Sequence, residues 1–154
     1  MTDPRAAFYG AWRLEANVFR DEHGVETWPF GEDCRGLLMY DPSGMMSVQM
    51  IRADRPHFPS EDITGLDESL LRAAFEGLNT YFGRFEVDVA GQRVIHHVEA
   101  ASLPNRAGSR QERQYELDGD RLVLRSPPRL LGGRRLTGEL RWRKTGNSSH
   151  SRIA

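Results

Sequence analysis

Disulfides, an amine nucleophile and membrane-length apolar runs are all missing from this chain. Cys34 is the only cysteine, so no internal disulfide can form, and a reducing, cytoplasmic setting is expected. Lys144 is the only lysine, every other basic residue being arginine, which speaks against Schiff-base chemistry at a buried amine. No apolar stretch approaches the roughly 20 residues that a membrane helix needs, so no membrane span is expected. Met1-Thr2-Asp3-Pro4-Arg5 lacks the basic start and apolar stretch of a secretory signal. Charge of one sign is absent too. The 21 basic and 22 acidic residues leave a formal −1, without the positive field that a nucleic-acid partner requires.

What is present is period-two patterning along most of the chain. Its 154 residues suit one domain, expected over 1–145, with a disordered tail at 146–154. Gly10 to Val18 alternates apolar with mainly polar residues and predicts a strand that turns Trp12, Leu14, Ala16 and Val18 inward. Gly36 to Tyr40 and Met45 to Arg52 flank Asp41-Pro42-Ser43-Gly44, a turn that pairs Tyr40 with Met46 and Leu38 with Val48. Residues 53–66 read as a loop. Asp67 is a helix N-cap for an apolar series, Leu70, Leu71, Ala74, Phe75 and Leu78, closed by Asn79. Strands resume at Tyr81 to Val89 and Val94 to Ala100, then at Gln111 to Leu117 and Asp120 to Leu124 around Asp118-Gly119. A Pro- and Gly-rich loop, Ser126 to Thr137, precedes a last strand, Gly138 to Arg143. The fold class expected is all-β. About eight strands form an up-and-down antiparallel β-barrel with one amphipathic helix between the third and fourth strands, because closure removes unpaired edges. Trp12 is expected buried at one barrel end beneath Arg141 or Arg143.

Gly10-x-Trp12 together with Arg141-Trp142-Arg143 resembles the lipocalin superfamily. Further motifs are Pro29-Phe30-Gly31, Gly36-x-Leu38-x-Tyr40-Asp41, Gly44-x-Met46-Ser47-Val48-Gln49, Tyr81-Phe82-Gly83-x-Phe85-Glu86-Val87-Asp88 and His96-His97-Val98-Glu99. With Pro104-Asn105 and Leu117-x-Gly119-Asp120-Arg121-Leu122, they are similar to the microbial lipocalin-like domain family over residues 8–143. The resemblance implies a barrel with a hydrophobic cavity. Some lipocalin-fold proteins of biosynthetic pathways act as cyclases or isomerases, but the family brings no catalytic motif. The disulfides of secreted lipocalins are absent.

The candidate site follows from strand faces. A two-residue turn at Asp118-Gly119 pairs Leu117 with Asp120 and Tyr115 with Leu122, so Gln111, Arg113, Tyr115, Leu122 and Leu124 share a face marked as interior by its leucines. An inward Arg113 needs an anionic partner. Pairing Phe85 with Ile95 through a bulged turn at Gly91 sends Ile95, His97 and Glu99 inward and gathers Tyr81, His97, Glu99 and Arg113. The alternative face carries Val94, His96 and Val98. The cluster is open to three readings. It can be an inert ion pair with its neighbours, or the polar end of a site for a mainly apolar ligand. It can also be a proton-transfer site with His97 or Glu99 as general base and Arg113 or Tyr81 holding an enolate oxygen. Met46 and Met50, beside Met39 and Met45, supply an adaptable apolar wall, and Tyr81, Phe85, Gln111, Arg113 and Tyr115 complete the expected ligand contacts. His96 and His97 leave opposite faces of one strand and cannot share a metal. Neither metal nor cofactor is expected. The arginines at 121, 125, 129, 134, 135, 141 and 143 form either a solvated face or an entrance attracting carboxylates. The function expected is binding of a small, mainly hydrophobic or amphipathic molecule. The alternatives are a cofactor-independent isomerase or cyclase of secondary, for example polyketide, metabolism, and a barrel for protein contact.

Overall fold

Alternation makes each hairpin a wall with one inward face. The computed structural model, which describes residues 2–146, closes that wall on itself. In chain order the elements are β1 (Gly10–Asp21), β2 (Glu26–Thr27), β3 (Cys34–Tyr40), β4 (Met45–Arg52), α1 (Glu68–Glu76), β5 (Leu78–Asp88) and β6 (Arg93–Ala101). Then come β7 (Arg110–Asp118), β8 (Arg121–Arg125), β9 (Arg129–Leu131) and β10 (Arg134–Lys144). β1, β3 to β8 and β10 form a closed eight-stranded antiparallel barrel, with β10 pairing back onto β1. β2 and β9 are short strands appended to β1 and β10. The tail expected at 146–154 lies outside the described residues from 147 onward.

Four expectations need correction. The helix follows β4 rather than lying between the third and fourth strands of the chain, because the two-residue β2 adds one to the count. It ends at Gly77, one residue before β5 begins, so Leu78 and Asn79 belong to a strand. Asp67 does cap it, accepting from the Ser69 amide at 2.9 Å. On β1, Leu14 pairs with Trp142 but Ala16 with Arg141, which leaves Glu15 as the extra residue of a bulge. Beyond it the alternation is inverted, and Asn17 and Phe19, not Ala16 and Val18, share the inner face with Trp12 and Leu14. Finally, the segment expected as a loop at 126–137 contains β9 and the start of β10, joined by Gly132 and Gly133 at φ 57° and 75°, values that suit glycine.

The hairpin of β3 and β4 has the expected register, Tyr40 opposite Met46 and Leu38 opposite Val48. In β7 and β8, Leu117 pairs with Leu122 and Tyr115 with Leu124, two residues from expectation. An even shift leaves the faces unchanged.

One barrel end is sealed by a 3-10 turn at Ala6–Phe8. The Phe8 ring meets Tyr40 and Tyr115 edge-on at 5.7 and 5.0 Å. Trp12 is fully buried, and its Nε1 donates to the Phe8 carbonyl at 2.9 Å. The cation above it is Lys144, 5.2 Å from the ring centre, rather than Arg141 or Arg143. Trp142 is buried on the inner face of β10 and Lys144 lies two residues further on. Arg141 and Arg143 alternate outward, to Glu139 and to Glu15 and Asp120.

Candidate ligand cavity

The opposite barrel end is open. There the inner faces of β1, β3, β4, β5, β6, β7, β8 and β10 surround a cavity of about 370 Å³, within the size range of small-molecule sites. Leu38, Val48, Met50, Leu124, Leu140 and Trp142 make an apolar body. Phe19, turned inward by the β1 bulge, adds to it near the mouth, where Pro29 and Phe30 from the β2–β3 loop, Leu103 and Leu131 also stand. That loop is tied to the barrel by Asn17, whose Nδ2 donates to the Gly31 carbonyl at 3.1 Å.

Polar groups are few, and they converge. His96 lies on β6 between two tyrosines, with Nε2 2.7 Å from the Tyr40 hydroxyl and Nδ1 2.8 Å from the Tyr81 hydroxyl. Burial, then the charges of Arg113 and His97, pull the His96 pKa down to about 3, so the ring is neutral. Burial also pushes both tyrosines above their ordinary range, Tyr40 furthest. A neutral imidazole donates from one nitrogen and accepts at the other. One tyrosine therefore donates to His96 while the second accepts from it and keeps a proton to give elsewhere. Tyr81 borders the cavity and Tyr40 does not. A spare proton on Tyr40 would be buried without an acceptor, at a cost of about 1–3 kcal/mol. The favoured chain runs from the Tyr40 hydroxyl to Nε2 and from Nδ1–H to the Tyr81 oxygen, which aims the Tyr81 proton at the cavity.

The other polar groups are cationic or neutral: Asn79, Arg106, Gln111, Arg113, Ser126 and Arg129, with no carboxylate among the lining residues. Arg113 is buried and donates from Nη1 to the Glu112 carbonyl at 2.7 Å and from Nη2 to Gln111 Oε1 at 3.4 Å. Arg106 Nη1 donates to Asn79 Oδ1 at 3.4 Å, and its guanidinium lies 5.9 Å from the Tyr81 ring centre.

Of the residues expected to touch a ligand, Tyr81, Met50, Gln111 and Arg113 border the cavity. Phe85, Tyr115 and Met46 do not. They pack towards the sealed end, Phe85 against Tyr9 and Tyr40 and Tyr115 against Phe8. His97 and Glu99 are placed on the outer wall, His97 beside Glu86 at 3.3 Å. Phe85 pairs with His96 rather than Ile95, because the turn between β5 and β6 spans the four residues 89–92, with Gln92 at φ 49°. An odd shift inverts the side chains of the strand from Val94 to Val98, up to the bulge at Glu99. The expected meeting of Glu99 with Arg113 does not occur, and the histidine beside the cavity is His96. Its sequence signal was the apolar framing of Val94-x-His96-x-Val98. Arg106 had no comparable signal, and the arginine cluster that included Arg129 divides. Arg125 and Arg141 grip the buried Glu139 at 2.9 and 2.6 Å, Arg134 reaches Asp21 at 2.6 Å, and Arg129 turns to the cavity.

A closed eight-stranded antiparallel barrel with a sealed floor and one apolar cavity at its mouth defines a lipocalin-type protein. Residues 9–145 match the Lipocalin-like domain family, and the chain belongs to it. Among curated proteins it is similar to a 4'-hydroxy-3'-methoxypropiophenone carrier protein of Aspergillus oryzae. The two are 40% identical over 107 residues, which is 64% of this chain and 96% of that one.

Proposed function

We propose that this protein binds a small, mainly apolar molecule in its barrel and carries it without chemical change. The observation that supports this reading best is the cavity itself: an apolar chamber onto which a neutral histidine presents the Tyr81 hydroxyl. A ligand whose apolar body fills the chamber and whose carbonyl or hydroxyl oxygen accepts from Tyr81 matches that arrangement. The aromatic ketone in the relative's name has those parts. Turnover is less well supported, because His96 takes up a proton only near pH 3 and is a poor base at neutral pH. An open cavity favours a ligand over a barrel built only for protein contact. Isothermal titration with 4'-hydroxy-3'-methoxypropiophenone tests the reading. One-to-one binding that leaves the compound unchanged by NMR and chromatography, which resolve isomers of equal mass, is expected. Conversion of the compound would replace the carrier with an enzyme.

A further inference from the structure

Arg106, Arg113 and Arg129 come from three different parts of the chain and all border the cavity. Arg106 lies on the short turn Pro104–Arg106, Arg113 on β7 and Arg129 on β9. Among the described residues, none of the three has an ion pair, although most other arginines do. Glu112, the nearest acid in sequence to Arg113, has its carboxylate engaged by Arg93 at 3.2 Å and Arg110 at 2.7 Å. The Nε of Arg129 is buried with no hydrogen-bond partner among the described residues. Burial, joined by the repulsion of the other guanidiniums, holds Arg106 and Arg129 below their ordinary range. Three uncompensated cations around one small chamber are costly unless an anion joins them.

The backbone explains why they gather there. Pro127 and Pro128 have no N–H to give, and the β7–β8 ladder ends at Gln114 opposite Arg125. Residues 110–113 of β7 are therefore unpaired on that side, and a cleft lined by Arg110–Arg113 and Ser126–Arg129 lies beside the cavity. Arg113 and Arg129 border both spaces.

Resting on the carrier reading above, we infer that the ligand is ionised: an apolar molecule bearing one oxyanion, carboxylate or acidic phenolate, held by Arg106, Arg113 and Arg129. Arginine suits planar two-oxygen groups and phenolate oxygens alike, and a guanidinium–oxyanion hydrogen bond is stronger than a neutral one.

Two pairs of probes, each an ionisable compound and its neutral counterpart, test this by titration at pH 9. The phenol pair is 4'-hydroxy-3'-methoxypropiophenone with 3',4'-dimethoxypropiophenone. The carboxylate pair is 4-phenylbutyrate with its methyl ester. In at least one pair the ionised member binds about 10- to 100-fold more tightly, and the pair showing the gap identifies the oxyanion. Arg113→Met closes that gap, and Arg129→Met serves if the first variant fails to fold. The bound phenol also develops its red-shifted phenolate absorption at lower pH than the free compound, which a merely structural arginine would not cause. Equal binding within both pairs overturns the inference and leaves the carrier reading intact. Failure of all four probes to bind overturns both.

Discussion

Lys144 and Trp12 face each other across the seam of the barrel, the ammonium 5.2 Å from the indole centre, and they close the last strand over the first at its sealed end. Trp12→Ala should cost about 3–5 kcal/mol by opening a cavity in the floor, measured by chemical denaturation. Lys144→Met should cost less, since the methionine stem keeps the contact and loses only the charge. An unchanged midpoint for Trp12→Ala would mean that the floor is not part of the cooperative core.

The two tyrosines beside His96 should behave differently although their hydrogen bonds are alike in length. Tyr40→Phe leaves Nε2 of a buried ring without a partner and should cost about 1–3 kcal/mol of stability. Tyr81→Phe removes the proton aimed at the cavity and should weaken ligand binding by roughly tenfold. Thermal melts and ligand titrations of both variants would separate these roles. A larger binding loss in Tyr40→Phe would reverse the tautomer assigned to His96.

His96 also sets an acid limit. Its folded pKa is about 3 against an ordinary 6.5, so the folded protein disfavours the proton and the unfolded chain accepts it. The stabilisation is complete above about pH 6.5 and is lost as pH falls towards 3, by up to about 1.4 kcal/mol per pH unit. Subtracting the stability profile of His96→Gln from that of the parent isolates this contribution from the carboxylates. A flat difference between pH 6 and 4 would show that the imidazole is hydrated in the native state.

Gly83 lies opposite the bulge at Glu99, and a Cβ there would come 1.9 Å from the His97 carbonyl oxygen. Gly83→Ala should force β5 and β6 apart and destabilise the protein by about 1–3 kcal/mol. Weakened ligand binding should accompany it, since Tyr81 and His96 sit on those two strands. Denaturation and titration of the variant check both effects.

Period-two patterning made the barrel legible because one buried face repeated along eight strands leaves little else to form. Tyr40 with Met46 and Leu38 with Val48 were readable because Asp41-Pro42-Ser43-Gly44 dictates its own register. The inward side of β6 was less legible. Val94, His96 and Val98 alternate with Ile95, His97 and Glu99, both series contain apolar residues, and the decision rests on a four-residue turn with no marked sequence signature. Of the residues bordering the cavity, Gln111 and Arg113 were placed by the face they share with Leu122 and Leu124, whereas Tyr81 was reached through a β5–β6 register that the structure replaces and Met50 through the run of methionines. Arg129 was readable only as one of seven clustered arginines and Arg106 not at all, because a β-flap and a turn position them from outside the barrel pattern.

The bulge at Glu15 makes length changes in β1 unlike those in a loop. Removing that one residue would only make the ladder regular and leave Asn17 and Phe19 inward, whereas straightening the strand with Glu15 kept in place would exchange inside for outside from Ala16 onward, presenting Val18 to the chamber and turning Asn17 and Phe19 to solvent. The β2–β3 loop would lose its tether at Gly31 by the same stroke. An aligned relative lacking a counterpart of Glu15 can therefore keep the same inward series on a regular β1, whereas one with a loss or gain elsewhere in β1 and no compensating bulge encloses a differently shaped space, and its ligand should be inferred from its own β1 rather than from overall likeness.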